Sequence, residues 1–288
     1  MAENSPSTGG ATEPKPPAVK PDLTSIGGLA LGLFGILGGL MMEGGKLKDV
    51  AQITAAVIVL GGTAGAVLVS TPGPVVSGAM RRFRGVFARS TPPLNELIDE
   101  VIGYAHKARK NGLVSLEQDA ERIPDPFFRR ALNLAVDGTD LQDIRKMLEL
   151  DIAMEEHYGE AEVKVFESAG GYSPTIGIIG AVLGLIQVMK NLTNIEEVGH
   201  GIAVAFVATV YGVASANLLY LPAAAKMKAH IAAESLRKEL IIEAVSGIVE
   251  GMNPKIVRLK LEVYVHGNAP QKPPRGKRAQ VEPERVSA

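Results

Sequence analysis

The sequence contains no cysteine, which excludes a disulfide framework, a thiolate nucleophile and any cysteine-based metal site. Aromatic residues make up only 5%, few for a core built on large rings. No basic excess exists either: the formal net charge is -1, which gives no sign of phosphate recognition, so a nucleic-acid partner is not expected. Walker loops, His-x-x-x-His pairs, nucleophile elbows and Rossmann fingerprints are all missing, and the five histidines are scattered. Neither catalysis nor a metal or other cofactor is therefore expected. The first twenty residues have no apolar core behind a basic start, so they do not read as a signal peptide; their Pro, Ser, Thr and Glu content reads as a disordered tail.

What is abundant is apolar: 46% hydrophobic residues and 32 glycines, a composition suited to closely packed membrane helices. A helix needs about 20 mostly apolar residues to cross a hydrocarbon core about 30 Å thick. Four windows meet that test, Leu23 to Met42, Ala51 to Thr71, Gly171 to Met189 and Gly201 to Leu221, and none holds a charged residue or histidine inside. Short polar turns around Glu43 to Asp49 and Lys190 to His200 join them into two helical hairpins. The expected fold is thus an all-α integral membrane protein with four transmembrane helices in two hairpins, a helical cytoplasmic domain between them and a helical cytoplasmic C-terminal extension. Boundaries follow as a tail at 1–21, hairpins at 22–71 and 171–221, a middle domain at 72–170, C-terminal helices at 222–268 and a basic tail at 269–288. Arg81, Arg82, Arg84 and Arg89 follow span two and Lys226 and Lys228 follow span four, which places the middle domain and both termini in the cytoplasm.

Small-xxx-small pairs mark where spans approach closely: Gly28 with Gly32, Gly35 with Gly39, Gly61 with Gly65, and Ala208, Gly212 and Ala216. Either packing within one chain or contact between subunits accounts for each. In the middle domain, Leu94, Leu97, Ile98, Val101, Ala105 and Ala108 recur at helical spacing. Ser115 with Gln118 and Thr139 with Gln142 fit capping boxes and predict two more helix starts. From Asp143 to Glu162 seven acids form a face that reads as a solvated surface. Past span four, Lys226 to Glu250 reads as a continuing helix that Asn253-Pro254 stops or restarts, and Lys272, Arg275, Lys277 and Arg278 give a loose basic tail suited to anionic lipid.

An ion relay normally uses a carboxylate, histidine or lysine inside the bilayer, and the four spans offer none. A partner must then bring the titratable group. What the spans do offer is hydroxyl, Thr209 in span four and Thr175 near the start of span three, each able to meet water or a partner's carboxylate or simply to bond its own backbone. Pro174 and Pro222 stand at the cytoplasmic ends of spans three and four, where each marks a cap or a kink; Ser173-Pro174 equally fits an N-cap with proline at the first helical position.

Three stretches carry a family resemblance: Ile58 to Ala66, Phe166 to Ile186, and Gly199 to Gly212. With the four-span layout, they resemble the MotA/TolQ/ExbB ion-channel family, in particular its flagellar motor stator subunits. The resemblance implies a ring of these subunits, a pentamer, around single-span B-type partners that anchor to peptidoglycan and supply an ion-binding aspartate. It also implies torque on a rotor switch protein, in the inner membrane, driven by an ion gradient with no cofactor. Carried onto this sequence, Thr209 lines the ion path, Pro174 and Pro222 couple it to movement, and Arg109 with Glu117 face the rotor, Lys110 competing for the basic role. Sodium-using relatives carry threonine where this chain has Ala181, and a methyl cannot replace lost hydration, so protons are favoured. Two rival readings remain, a TolQ/ExbB-like energiser of outer-membrane transport, whose relatives have three spans, and a membrane scaffold without ion flow.

Overall fold

The computed structural model describes residues 20–86, 88–89 and 93–266, and these are almost entirely helical. The tails expected at 1–21 and 269–288 lie essentially outside the described residues. Helix α1 (Leu23–Met42) begins at Asp22, whose side chain accepts the Thr24 backbone N–H at 3.1 Å, and ends before Gly44 at φ 82°. After a single turn α2 (Leu47–Val50), the second span runs as α3 (Ile53–Ala56), a π turn (Val57–Gly61) and α4 (Gly62–Ser70), and α5 (Gly73–Val86) follows. Lys20–Pro21 pairs antiparallel with Ala88–Arg89.

Helix α6 (Leu94–Asn111) buries the stripe its periodicity predicts, Leu97, Ile98, Val101, Ala105 and Ala108, and stops at Gly112, whose φ of 85° suits only glycine. The Ser115 capping box does not form. A 3-10 turn (Leu113–Leu116) takes its place, the Ser115 hydroxyl donates to the Gly112 carbonyl at 2.6 Å, and α7 (Glu117–Arg122) starts one residue later than expected. Helix α8 (Pro126–Val136) is capped by Asp125 with proline at its first turn. At the next start the cap is Asp140, accepting the Gln142 N–H at 2.8 Å, one residue after the threonine proposed for it.

From there α9 (Leu141–Lys190) runs unbroken for 50 residues. At about 1.5 Å per residue that is roughly 75 Å, more than twice the hydrocarbon thickness, so most of it stands outside a bilayer. Helix α10 (Ile195–Ser215) passes through a π turn (Ala216–Tyr220) into α11 (Leu221–Val249), and α12 (Pro254–His266) closes the described chain after an Asn253 cap. The second π turn has a physical reason: Pro222 has no N–H for the Leu218 carbonyl, and widening the preceding turn absorbs the lost bond.

Four helices are long and apolar enough to cross a membrane, α1, α3–α4, and parts of α9 and of α10–α11. Their outward side chains are large and apolar, Phe34 at 78% exposure and Val69 at 92%, which suits lipid and not water. This is a multi-pass membrane protein. Away from the spans a core of α6, α8, α9, α11 and α12 closes around Phe128, Leu132, Leu148, Leu240 and Leu261. The acids of α9 are only partly a solvated face. Asp151 pairs with Arg130 at 2.6 Å, Glu162 with Arg82 at 2.5 Å, and Glu155 with Lys238, fixing α9 to α8, α5 and α11.

Candidate functional site

The seam between α9 and α10 is antiparallel and built on small residues. A Cβ on Gly177 would sit 2.9 Å from the Ala208 carbonyl, one on Gly184 2.7 Å from the Gly201 carbonyl, and one on Gly212 2.6 Å from the Ser173 carbonyl. Side chains there would push the two backbones apart. Val59, Val207 and Ala208 fill the space where the second span lies across this seam, and Ile58 packs on Gly180.

Thr209 sits on this seam, half-buried, with its Cα facing Gly177, one turn of α9 from Ala181. Its hydroxyl donates to the Ala205 carbonyl at 3.2 Å, and it also borders a groove with Ile36 of α1 and Val213 and Asn217 of the α10 side. Thr175 is exposed and bonds the Tyr172 carbonyl at 2.7 Å. Both threonines thus have the local backbone bond that competes with an external partner, but only Thr209 lies against the neighbouring helix. Thr209 and Gly177 are brought together, with Ala181 one turn of α9 beyond Gly177; no such contact involves Thr175 among the described residues.

Ser173 is not an N-cap. It lies inside α9, fully buried, and its hydroxyl shares a 2.7 Å hydrogen bond with that of Ser215 across the seam. Pro174 is therefore an interior helix proline, and the Gly170 carbonyl loses its usual donor there. Gly170 in turn abuts Leu221, so Pro222 lies within about two turns of Pro174 along the bundle. Thr63 on α4 carries a buried hydroxyl with no hydrogen-bond partner among the described residues. Tyr211 donates to the Val50 carbonyl at 2.5 Å, tying α10 to the entry of the second span. Sequence reasoning passed over Ser173–Ser215, Thr63 and Tyr211.

Helix α1 has no buried residue. It touches the rest of the chain where Gly32 meets Leu218 and where Lys226 of α11 donates to Asp22 and Ser25. The Lys226 ammonium, with the Thr24 hydroxyl, holds the Asp22 carboxyl well below the usual carboxylate range. This clasp puts the start of the first span beside the end of the last. On α11 one turn further, burial and the Lys226 charge push the His230 imidazole down.

Arg109 and Lys110 occupy the last turn of α6, where cations suit the helix dipole, and Glu117 opens α7. All three are exposed. Lys107 is engaged by Asp119 at 2.6 Å, which leaves Arg109 and Lys110 as the bases of that turn without an ion pair among the described residues. No group of three or more metal-ligating side chains occurs among the described residues.

Fold and site define a class, a multi-pass helical membrane subunit whose spans contain hydroxyls and glycine seams but no carboxylate, histidine, lysine or arginine. The profile of the MotA/TolQ/ExbB proton channel family matches residues 119–240, and that of the motility protein A N-terminal region matches residues 26–111. The chain is 33% identical over 245 residues to motility protein A of Bacillus subtilis (strain 168), covering 85% of this chain and 91% of that protein. The C. jejuni MotAB structure superposes with a TM-score of 0.82 at 32% identity, covering 86% of this chain and 98% of that one. The flagellar MotAB stator complex from Bacillus subtilis gives 0.80 at 33%, covering 85% and 96%. The chain belongs to the MotA/TolQ/ExbB proton channel family. Within it, the similarity runs to the motility proteins through both halves of the chain.

Proposed function

We propose that this chain is the channel-forming stator subunit of a bacterial flagellar motor, in the inner membrane, converting ion flow into torque. The observation that carries the reading is Thr209, a hydroxyl on the α9–α10 seam of a bundle whose spans hold no carboxylate, histidine, lysine or arginine. Transport then needs a carboxylate from outside the chain, and a single-span, peptidoglycan-anchored B-type subunit supplies it as an aspartate. Copies of the chain form a ring of five around that partner. The methyl of Ala181, one turn from Gly177, favours protons over sodium. Pro174 and the π turn before Pro222 place two weakened points in the long helices that run from the ion path to the extramembrane core, and Arg109 with Glu117 presents a charged pair to the rotor switch protein. The Asp22–Lys226 clasp supports N- and C-termini on one face, the cytoplasm. Two hairpins and an extramembrane middle domain at 72–170 follow from the same arrangement. Four spans favour the motor branch over three-span energisers of outer-membrane transport.

Replacing Thr209 with leucine, which fills the seam with apolar volume, abolishes swimming while flagella are still assembled, and abolishes proton leak through a complex whose partner lacks its plug. Normal motility of Thr209→Leu defeats the reading. Thr175→Leu, at an exposed site off the seam, reduces swimming far less.

A further inference from the structure

We propose that the groove between α9, α11 and α12 is the seat of the chain's own basic C-terminal segment, Lys272 to Arg278. The groove holds about 380 Å³ and is lined by Glu149 and Glu156 of α9, Glu239 and Glu243 of α11 and Tyr264 of α12, with the buried Ile152 as an apolar member. Arg145 and Lys260 already engage Glu243, at 3.2 and 2.9 Å. Glu149, Glu156 and Glu239 have no cation within ion-pair distance among the described residues, so the groove keeps an acidic excess. Glu149 and Glu156 stand two turns apart on one helix, and Glu239 and Glu243 one turn apart on the next. Like charges one turn apart repel, and Arg145 and Lys260 relieve this at Glu243 while Glu149, Glu156 and Glu239 stay unneutralised among the described residues.

The occupant is chosen by where the chain leads. Tyr264 lines the groove, and the described part of α12 runs two residues further, to His266. The next residues carry Lys272, Arg275, Lys277 and Arg278 and no acid before Glu282. At about 3.3 Å per residue the six steps from His266 to Lys272 span at most roughly 20 Å, which puts the groove that Tyr264 lines within reach. No membrane-length helix separates α11, α12 and this segment, so it emerges on the groove's side whichever way the spans are oriented. Exposed charge pairs are individually weak and are screened by salt, which makes the seat sensitive to ionic strength. None of this depends on the chain being an ion channel.

The chain has no cysteine, so two introduced thiols are the only ones present. In the full-length chain within its membrane complex, Ala153→Cys in the groove and Gly276→Cys in the segment form an intrachain disulfide on mild oxidation. The rate is about tenfold above that of Val114→Cys with Gly276→Cys, the advantage of a tethered seat. It falls to the control rate in molar salt and when Glu149, Glu156 and Glu239 are changed to glutamine. Changing Lys272, Arg275, Lys277 and Arg278 to glutamine does the same while leaving the folded body untouched. Equal rates at the two sites overturn the proposal. So does a disulfide between two chains, which assigns the groove to a neighbour's segment, and so does loss of the crosslink when anionic phospholipid is added to neutral nanodiscs, which assigns the segment to the membrane.

Discussion

Glycine is equally conspicuous in the first span and in the third and fourth, yet it has opposite standing in the two regions. In the α9–α10 seam a side chain on Gly177, Gly184, Gly201 or Gly212 would meet backbone within 3 Å. On α1, Gly27, Gly28, Gly35, Gly38 and Gly39 have nothing within 4 Å, and neither do Gly61 and Gly65 in the second span. The difference teaches that spacing alone does not locate a packed ridge. Lipid tails offer no hydrophobic drive for two helices to meet, so contact depends on backbones coming close, and that needs small residues facing each other in register on both helices. The seam has facing partners; on α1, a side chain at Gly32 would meet Leu218, while one at Gly27, Gly28, Gly35, Gly38 or Gly39 would meet nothing among the described residues.

The largest test of this contrast is a single methyl. Gly184→Ala puts a Cβ 2.7 Å from the Gly201 carbonyl, so the two backbones must separate, and should cost on the order of 1–3 kcal/mol or more, seen as loss of folded chain on heating in detergent. Gly39→Ala, in open space, should be neutral or stabilising by about 0.5–1 kcal/mol, because alanine loses less conformational freedom in a helix. Equal behaviour of the two variants breaks the distinction.

Next in size is the hydroxyl bridge inside the same seam. Ser173→Ala removes the 2.7 Å bond but strands little, since the Ser215 hydroxyl also donates to the Gly212 carbonyl at 3.2 Å; the expected cost is about 0.5–1.5 kcal/mol. Ser215→Ala leaves the fully buried Ser173 hydroxyl alone and should cost more. The double variant should cost less than the two single losses added together, and strict additivity in that cycle shows that the hydroxyls do not act as a pair.

The spans were legible because an uncharged run of about twenty residues has few other uses, and the family motifs fell within them. The Leu97–Ala108 stripe was legible for the same kind of reason, a period matched over a whole helix. Ser173-Pro174 was not, because proline has the same local chemistry at a helix start as at a kink, and only Ser215 and Gly212 on the facing helix decide between them. The acids of α9 were misread in part because their partners lie far away in the chain, Arg82 for Glu162 and Lys238 for Glu155, beyond any local pattern. Thr63 carried no signal at all, being one threonine in a glycine-rich span whose burial depends on α9.

The smallest expected effect lies in the core away from the spans, where large apolar side chains and ion pairs make the contact instead of close backbones. Hydrogen bonding from Lys260, and behind it Arg145, lowers the Glu243 carboxyl below its ordinary 4.5, although burial opposes the shift; the same contact raises the Lys260 ammonium. A lowered carboxyl contributes its full stabilisation above the ordinary value, where folded and unfolded chains are both ionised. As pH falls from there toward the folded pKa, the unfolded chain takes up the proton first and the contribution is lost. Lys260 adds the converse, stability lost only as pH rises past the ordinary lysine range. Hydrogen exchange in α12 should therefore show local opening growing as the pH drops below about 4.5, after correction for intrinsic exchange rates. Glu243→Gln should flatten that dependence without moving the melting of the α9–α10 seam, since the facing positions of that seam carry no carboxylate; a seam that loosens over the same acid range joins the two regions and ends the contrast between them.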